Sequence, residues 1–346
     1  MQTLQISSDQ CSHCNSGLLA GDRFCETCGT PCPSPSPTAC THCGALALDT
    51  EGFCQQCGLR SPQGDEPLQL QLSLDCAGLS DRGLQRYLNQ DAIAILAWPD
   101  TQPESWGLVV CDGIGSSARA EQAAQLAAAT VGESLQASLQ ASFQDPLQKQ
   151  FQAQIMLPQT LDSLLVGCLG RSLDQAQQAV AHLAQGEANA PATTVVVAVI
   201  RDRQLAVGWL GDSRAYWLAA QGSCQLTQDH SDAAHRLTRW LGADADLHQY
   251  PPQFVCRELL DSGYVLLCSD GLWNYAPEPE QLWQILHPPE AAAAAADLDA
   301  DGARDCAWAP EPDTAILTQR LIDFARSQGG HDNISAVLLR ITHQSA

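Results

Sequence analysis

Six apolar runs of strand length recur between residues 71 and 346: AIAILAW, WGLVVCD, TTVVVAVI, QLAVGWLGD, GYVLLCSD and NISAVLLRIT. Alternating or continuous apolar runs of this kind predict β-strands. Two longer segments, about Arg119 to Phe143 and about Gln159 to Gln185, are rich in Ala, Leu and Gln and predict helices. Strands interspersed with long helices predict sheet layers covered by helices. Three of the runs end on an aspartate, namely Asp112, Asp212 and Asp270, and a further acid, Asp332 in GGHDNIS, follows a glycine turn. A carboxylate at a strand end is held rigidly by the sheet yet reaches a pocket mouth, which suits hard, oxygen-binding cations. Taken singly, each Asp-Gly pair reads as an ordinary turn.

The charge balance narrows the function. Acidic residues number 39 against 17 basic ones, Lys149 is the only lysine, and the formal net charge is −22. Such a surface repels phosphate backbones and anionic headgroups, so neither nucleic acid nor membrane is expected as a partner. An anionic substrate is repelled too, and bound cations would have to supply the missing positive charge. The sequence has no apolar run of about 18 residues and no signal-peptide pattern at MQTLQISSDQ, so the expected compartment is the cytoplasm.

The N-terminal residues carry a repeat. Cys11, Cys14, Cys25 and Cys28 recur 29 residues on as Cys40, Cys43, Cys54 and Cys57, and Phe24 and Gly29 recur as Phe53 and Gly58. Paired CxxC knuckles can present four thiolates to one tetrahedral zinc ion, and so short a segment needs the metal for its folding energy. Two structural Zn2+ are therefore expected, with redox-active CxxC pairs or an iron centre as the alternatives. Residues 1–60 hold only Arg23 and Arg60 as basic residues, so protein docking is a better expectation than nucleic-acid binding. The expected organisation is two zinc-ribbon-like modules of four cysteines each, at 11–28 and 40–57 within residues 1–60, then a linker at 61–70 and a larger domain at 71–346. An acidic, low-complexity insertion interrupts that domain at about 287–313. Eight further cysteines lie outside the CxxC pairs and read as small buried hydrophobes.

From about Asp81 to Ile341 the chain resembles the metal-dependent Ser/Thr phosphatases of the protein phosphatase 2C family. The pieces that carry the resemblance are DRGLQRYLNQDA, CDGIG, GDSRAY, LTQDHS, LTRWLGA, LLCSDGLW and HDNISAVLL, in family order. The resemblance implies an α+β fold, an α-β-β-α sandwich of two antiparallel sheets flanked by helices, with the metal centre at one end. It implies two or three Mg2+ or Mn2+ ions, with Asp112 bridging two of them and the carbonyl of Gly113 on one. Asp270 and Asp332 would ligate the other, and Asp212 would join Asp270 at a third, weaker position. Asp91 would hold a metal-bound water and Arg86 would clamp the substrate phosphate, a task that suits a guanidinium. The implied reaction is hydrolysis of phosphoserine or phosphothreonine in phosphoproteins by a metal-bridging hydroxide. A pseudophosphatase scaffold, keeping the fold without turnover, is the alternative.

The chain departs from the family pattern at Gln90, where many members have Glu, and at Ile114, where some have a histidine placed to protonate the leaving group. Ser116, Ser117 and Ala120 replace Gly, His and Gly, and Ala192 replaces the first residue of Gly-Thr-Thr. The segment between Ser231 and Leu237 is shorter than the flap of relatives, which should open the rim of the site and alter substrate selection. His230 reads as a structural, hydrogen-bonding histidine.

Overall fold

The computed structural model describes residues 67–98, 105–144, 158–184, 186, 189–234, 236–288 and 312–342. The cysteine modules, and nearly all of the expected acidic insertion, lie outside the described residues. In chain order the elements are β1 (Leu68–Ser73), β2 (Cys76–Asp81), β3 (Asp91–Trp98), β4 (Ser105–Asp112), α1 (Ala120–Gln144) and α2 (Pro158–His182). There follow β5 (Ala192–Thr193), β6 (Val195–Arg201), β7 (Gln204–Leu210), β8 (Arg214–Leu218), β9 (Cys224–Gln225), β10 (Leu241–Gly242), β11 (Gln253–Glu258) and β12 (Gly263–Cys268). The chain then forms α3 (Asp270–Trp273), α4 (Pro279–Leu286), α5 (Thr314–Ser327) and β13 (Ile334–Ile341). β1 takes in the last residues of the segment expected to be linker.

One sheet has the order β1-β2-β13-β12-β8-β9 and the other β11-β7-β6-β4-β3, with a small β10-β5 pair beside them. The apolar runs are explained by their two faces. In β6, Val196, Ala198 and Ile200 pack into the layer between the sheets, while Val195, Val197 and Val199 face the layer under α1 and α2. β13 divides likewise: Val337 and Leu339 point between the sheets, and Ile334, Ala336 and Leu338 pack beneath α4 and α5. Alternate side chains leave a strand on opposite sides, so a strand covered on both faces must be apolar throughout. The result is four layers, α-β-β-α, with three apolar cores.

The helices are fixed by local chemistry as well as packing. α4 opens with Pro279 and a capping box, in which the Gln281 side chain accepts from the Glu278 amide at 3.1 Å. Asp313 caps α5 by accepting from the Ala315 amide at 2.9 Å. Outside the CxxC pairs, Cys76, Cys111, Cys168 and Cys268 are buried and in no disulfide, as small hydrophobes should be, and Cys224 and Cys256 are half-buried.

Candidate active site

Strand ends deliver the acids to one end of the sandwich. Asp91 opens β3 and Asp112 closes β4, and the antiparallel register sets the two directly opposite each other. Like charges in facing positions on paired strands repel, so this pair opposes the sheet that holds it. Asp212 follows β7, Asp270 follows β12, and Asp332 precedes β13. Because β12 and β13 pair with Cys268 opposite Ala336, Asp270 and Asp332 emerge on the same side.

Asp112, Asp212, Asp270 and Asp332 line one cleft of about 600 Å³ together with Arg86 and Gly113. The expected site residues are thus gathered from separate parts of the chain, with buried Asp91 facing Asp112 across the β3-β4 pair. Among the described residues no three His, Cys, Asp or Glu side chains stand close enough to enclose an ion as they are. The acids line the wall of the cleft. Arg86 Nη2 donates to Asp332 Oδ2 at 2.5 Å and is the cationic partner at the centre.

Asp112, Asp91 and Asp212 are held by backbone and side-chain hydrogen bonds. The Asp112 amide donates to Thr194 Oγ1 at 3.1 Å, and its carbonyl accepts from the Thr194 amide at 2.8 Å and from Thr193 Oγ1 at 2.9 Å. Asp91 Oδ2 accepts from Ser269 Oγ at 2.8 Å, and the same hydroxyl accepts from the Ser335 amide at 3.0 Å. The Asp212 carbonyl accepts from Trp273 Nε1 at 2.9 Å, and Arg214 lies 3.7 Å over the Trp273 ring while pairing with Asp229. His230 is buried; its Nδ1 accepts from the Gly211 amide at 3.1 Å and its ring stacks on Trp209, so it supports the turn before Asp212.

Asn333 has no distinguishing signal of its own in the sequence, yet it ties the site together. Its Oδ1 accepts from the Gln90 amide at 2.8 Å, and its Nδ2 donates to the carbonyls of Arg82 at 2.9 Å and Leu88 at 2.8 Å. One buried amide therefore joins the strand that follows Asp332 to the loop that carries Arg86. Its only mark is its place between Asp332 and the β13 run. Gly83, in the same loop, has φ +75°, and a Cβ there would lie 2.0 Å from the Asp332 carbonyl oxygen. Only glycine accepts both that angle and that approach.

The electrostatics report a deficit of positive charge. Burial pushes the Asp91 carboxyl up to about 7, aided by Asp270 and Asp332 and opposed by hydrogen bonds from serines. Burial and then Asp270 push Asp212 up to about 7, and burial and then Asp332 push Asp270 up to about 6. Asp112 is raised well above the ordinary carboxyl value, by burial and by four neighbouring aspartates. Asp91 Oδ1 is moreover buried without a hydrogen-bond partner. Hard oxygen donors, an orphaned carboxylate oxygen and mutually repelling acids fit divalent cations.

Ser231 is bridged to Leu237, and Arg236 pairs with Asp232 at 2.7 Å. Arg236, Leu237 and Trp240 thereby reach the cleft rim. No His, Lys, Tyr or Cys is among the described residues lining the cleft.

A sandwich with this layer order and an acid-lined cleft at one end defines a class, the metal-dependent phosphatases. The family model described as Protein phosphatase 2C matches residues 84–301, and the chain belongs to that family. Residues 11–58 match the model described as Double zinc ribbon. The chain is 23% identical over 278 residues to the serine/threonine phosphatase stp of Listeria monocytogenes, covering 75% of this chain and 93% of that protein. The serine/threonine phosphatase Stp1 of Staphylococcus aureus has the same fold, with TM-score 0.54, 21% identity, and coverage of 81% of this chain and 100% of that one. So does the catalytic domain of the phosphatase PstP in complex with two manganese ions, with TM-score 0.52, 21% identity, and coverage of 80% and 100%.

Proposed function

We propose that this protein hydrolyses phosphoserine and phosphothreonine esters of phosphoproteins at the acid-lined end of its sandwich. One observation carries the reading: Arg86, Asp112, Asp212, Asp270 and Asp332 line a single cleft although they come from five separate segments. Asp112, the Gly113 carbonyl, Asp270 and Asp332 would hold two Mg2+ or Mn2+ ions, and Asp212 would serve a third with Asp270. When bound, such cations supply positive charge for the phosphoryl oxygens and an acidified water as nucleophile.

The side chains do the positioning. Arg86 offers two parallel donors to the phosphate, and its pairing with Asp332 aims it across the cleft. Asp91, fixed through Oδ2 by Ser269, keeps Oδ1 available to accept a hydrogen bond from a water and so orient it. The threonines behind Asp112 hold its backbone still, so the carboxylate stays in place as the ester bond breaks.

The eight CxxC cysteines, Cys11, Cys14, Cys25, Cys28, Cys40, Cys43, Cys54 and Cys57, would bind two structural zinc ions and present a protein-docking module. A reducing, cytoplasmic setting keeps such thiols available as ligands. With Mn2+, the protein should turn over a chromogenic aryl phosphate, and both a chelator and Asp112→Ala should abolish that turnover. A fully folded protein inert with both Mn2+ and Mg2+ would instead be a scaffold. Elemental analysis should find two zinc ions per chain, lost when Cys11 and Cys40 are both replaced by Ser.

A further inference from the structure

Beside the catalytic cleft lies a second cavity of about 100 Å³, lined by Arg239, Trp240, Asp244, Asp246, Leu247 and Tyr250 among others. Trp240 and Asp244 line both spaces, so the two adjoin at these side chains. Trp240 Nε1 donates to Asp244 Oδ1 at 3.0 Å, which ties the two shared side chains together. An extended chain with its phosphorylated residue in the cleft would pass these side chains, since about three residues to either side span roughly 10 Å.

The lining is selective. Asp246 spends Oδ1 on the amides of His248 and Gln249, each at 3.0 Å, and Asp244 spends Oδ1 on Trp240, so each carboxylate keeps an oxygen outside these bonds. The one cation among the described lining residues, Arg239, is engaged with the Pro251 carbonyl at 3.0 Å. Two carboxylates against one guanidinium leave the cavity acidic, in a chain whose net charge is already −22. Trp240 and Tyr250, the latter 43% exposed, add aromatic faces. Aromatic faces with free carboxylate oxygens suit a long side chain with an apolar stem and a cationic head.

We propose that this cavity is a subsite that takes a lysine or arginine side chain flanking the phosphorylated residue of the substrate. The inference rests on the phosphatase reading above and adds a substrate class to it.

The test uses the full chain with Mn2+ and three probes: an aryl phosphate, a phosphothreonine peptide with arginine scanned through the flanking positions, and the same peptide with alanine there. The wild type should favour the arginine peptide by about tenfold in kcat/KM at one or two positions. Asp246→Asn retains the oxygen that caps His248 and Gln249 while removing the charge. In that variant, and in Tyr250→Ala, the preference should fall to about twofold or less. Equal use of the two peptides by the wild type, or a preference that both variants keep, overturns the subsite and leaves the phosphatase reading intact if the aryl phosphate is still hydrolysed. Failure on all three probes overturns the phosphatase reading and this inference with it.

Discussion

Strand β4 passes through two opposite environments within five residues. At Leu108 it lies wholly buried between the sheets, in register with Ile95 on one side and Ala198 on the other. At Asp112 it presents a carboxylate directly opposite Asp91, within reach of three further acids. The first environment stabilises the fold by removing apolar surface from water, and the second destabilises it by holding like charges together. The same sheets that bury three apolar cores are thus what keeps a repulsive centre assembled. Function is placed where the fold is locally unfavourable and is supported by the part that is not.

The comparison can be broken first at the core. Leu108→Ala should cost about 2–5 kcal/mol of stability, since it empties a fully buried position flanked by paired strands. Denaturant titration measures that loss, and the metal requirement of the protein that remains folded should not change. A loss of that size at Leu108 accompanied by altered metal affinity would mean that the two ends of β4 are not independent.

A smaller effect concerns pH in chelator. Asp91 and Asp212 sit near 7 and Asp270 near 6 when folded, against ordinary carboxyl values when unfolded. Between those limits the folded state binds more protons, so the contribution of this centre to stability falls as pH rises from about 4 to about 7. The melting temperature in chelator should therefore be lower at pH 7.5 than at pH 5.5, and Asp91→Asn should reduce that difference. A difference that Asp91→Asn leaves unchanged would place the pH dependence elsewhere.

What the sequence made legible follows the same division. The runs that became β3, β4, β6, β7, β12 and β13 were readable because both faces of each are covered, which leaves little polar interruption. β2 and β8 are not legible because CAGLSD and RAYWL are short and mix polar with apolar residues, their pairing being set by the neighbouring strands. The start of β1 has the look of a linker because LQLQLS lies at the sheet edge with Leu68 and Leu72 exposed. At the site, the acids could be read because each stands at the end of a run. Ser269, Thr194 and Asn333 could not be so read, since they work through hydrogen bonds to partners far along the chain.

The central claim is that the acids at the end of the sandwich form a repulsive cluster that divalent cations relieve. The direct measurement is the melting temperature of the wild type and of Asp112→Asn, each in chelator and in saturating Mn2+. The wild type should gain roughly 5–10 °C on Mn2+ addition, as expected for a ligand at about 100 times its dissociation constant. Asp112→Asn should melt no lower than the wild type in chelator and should gain little from Mn2+. A wild type indifferent to Mn2+, or an Asp112→Asn variant that is less stable in chelator yet equally responsive to the metal, would contradict the account.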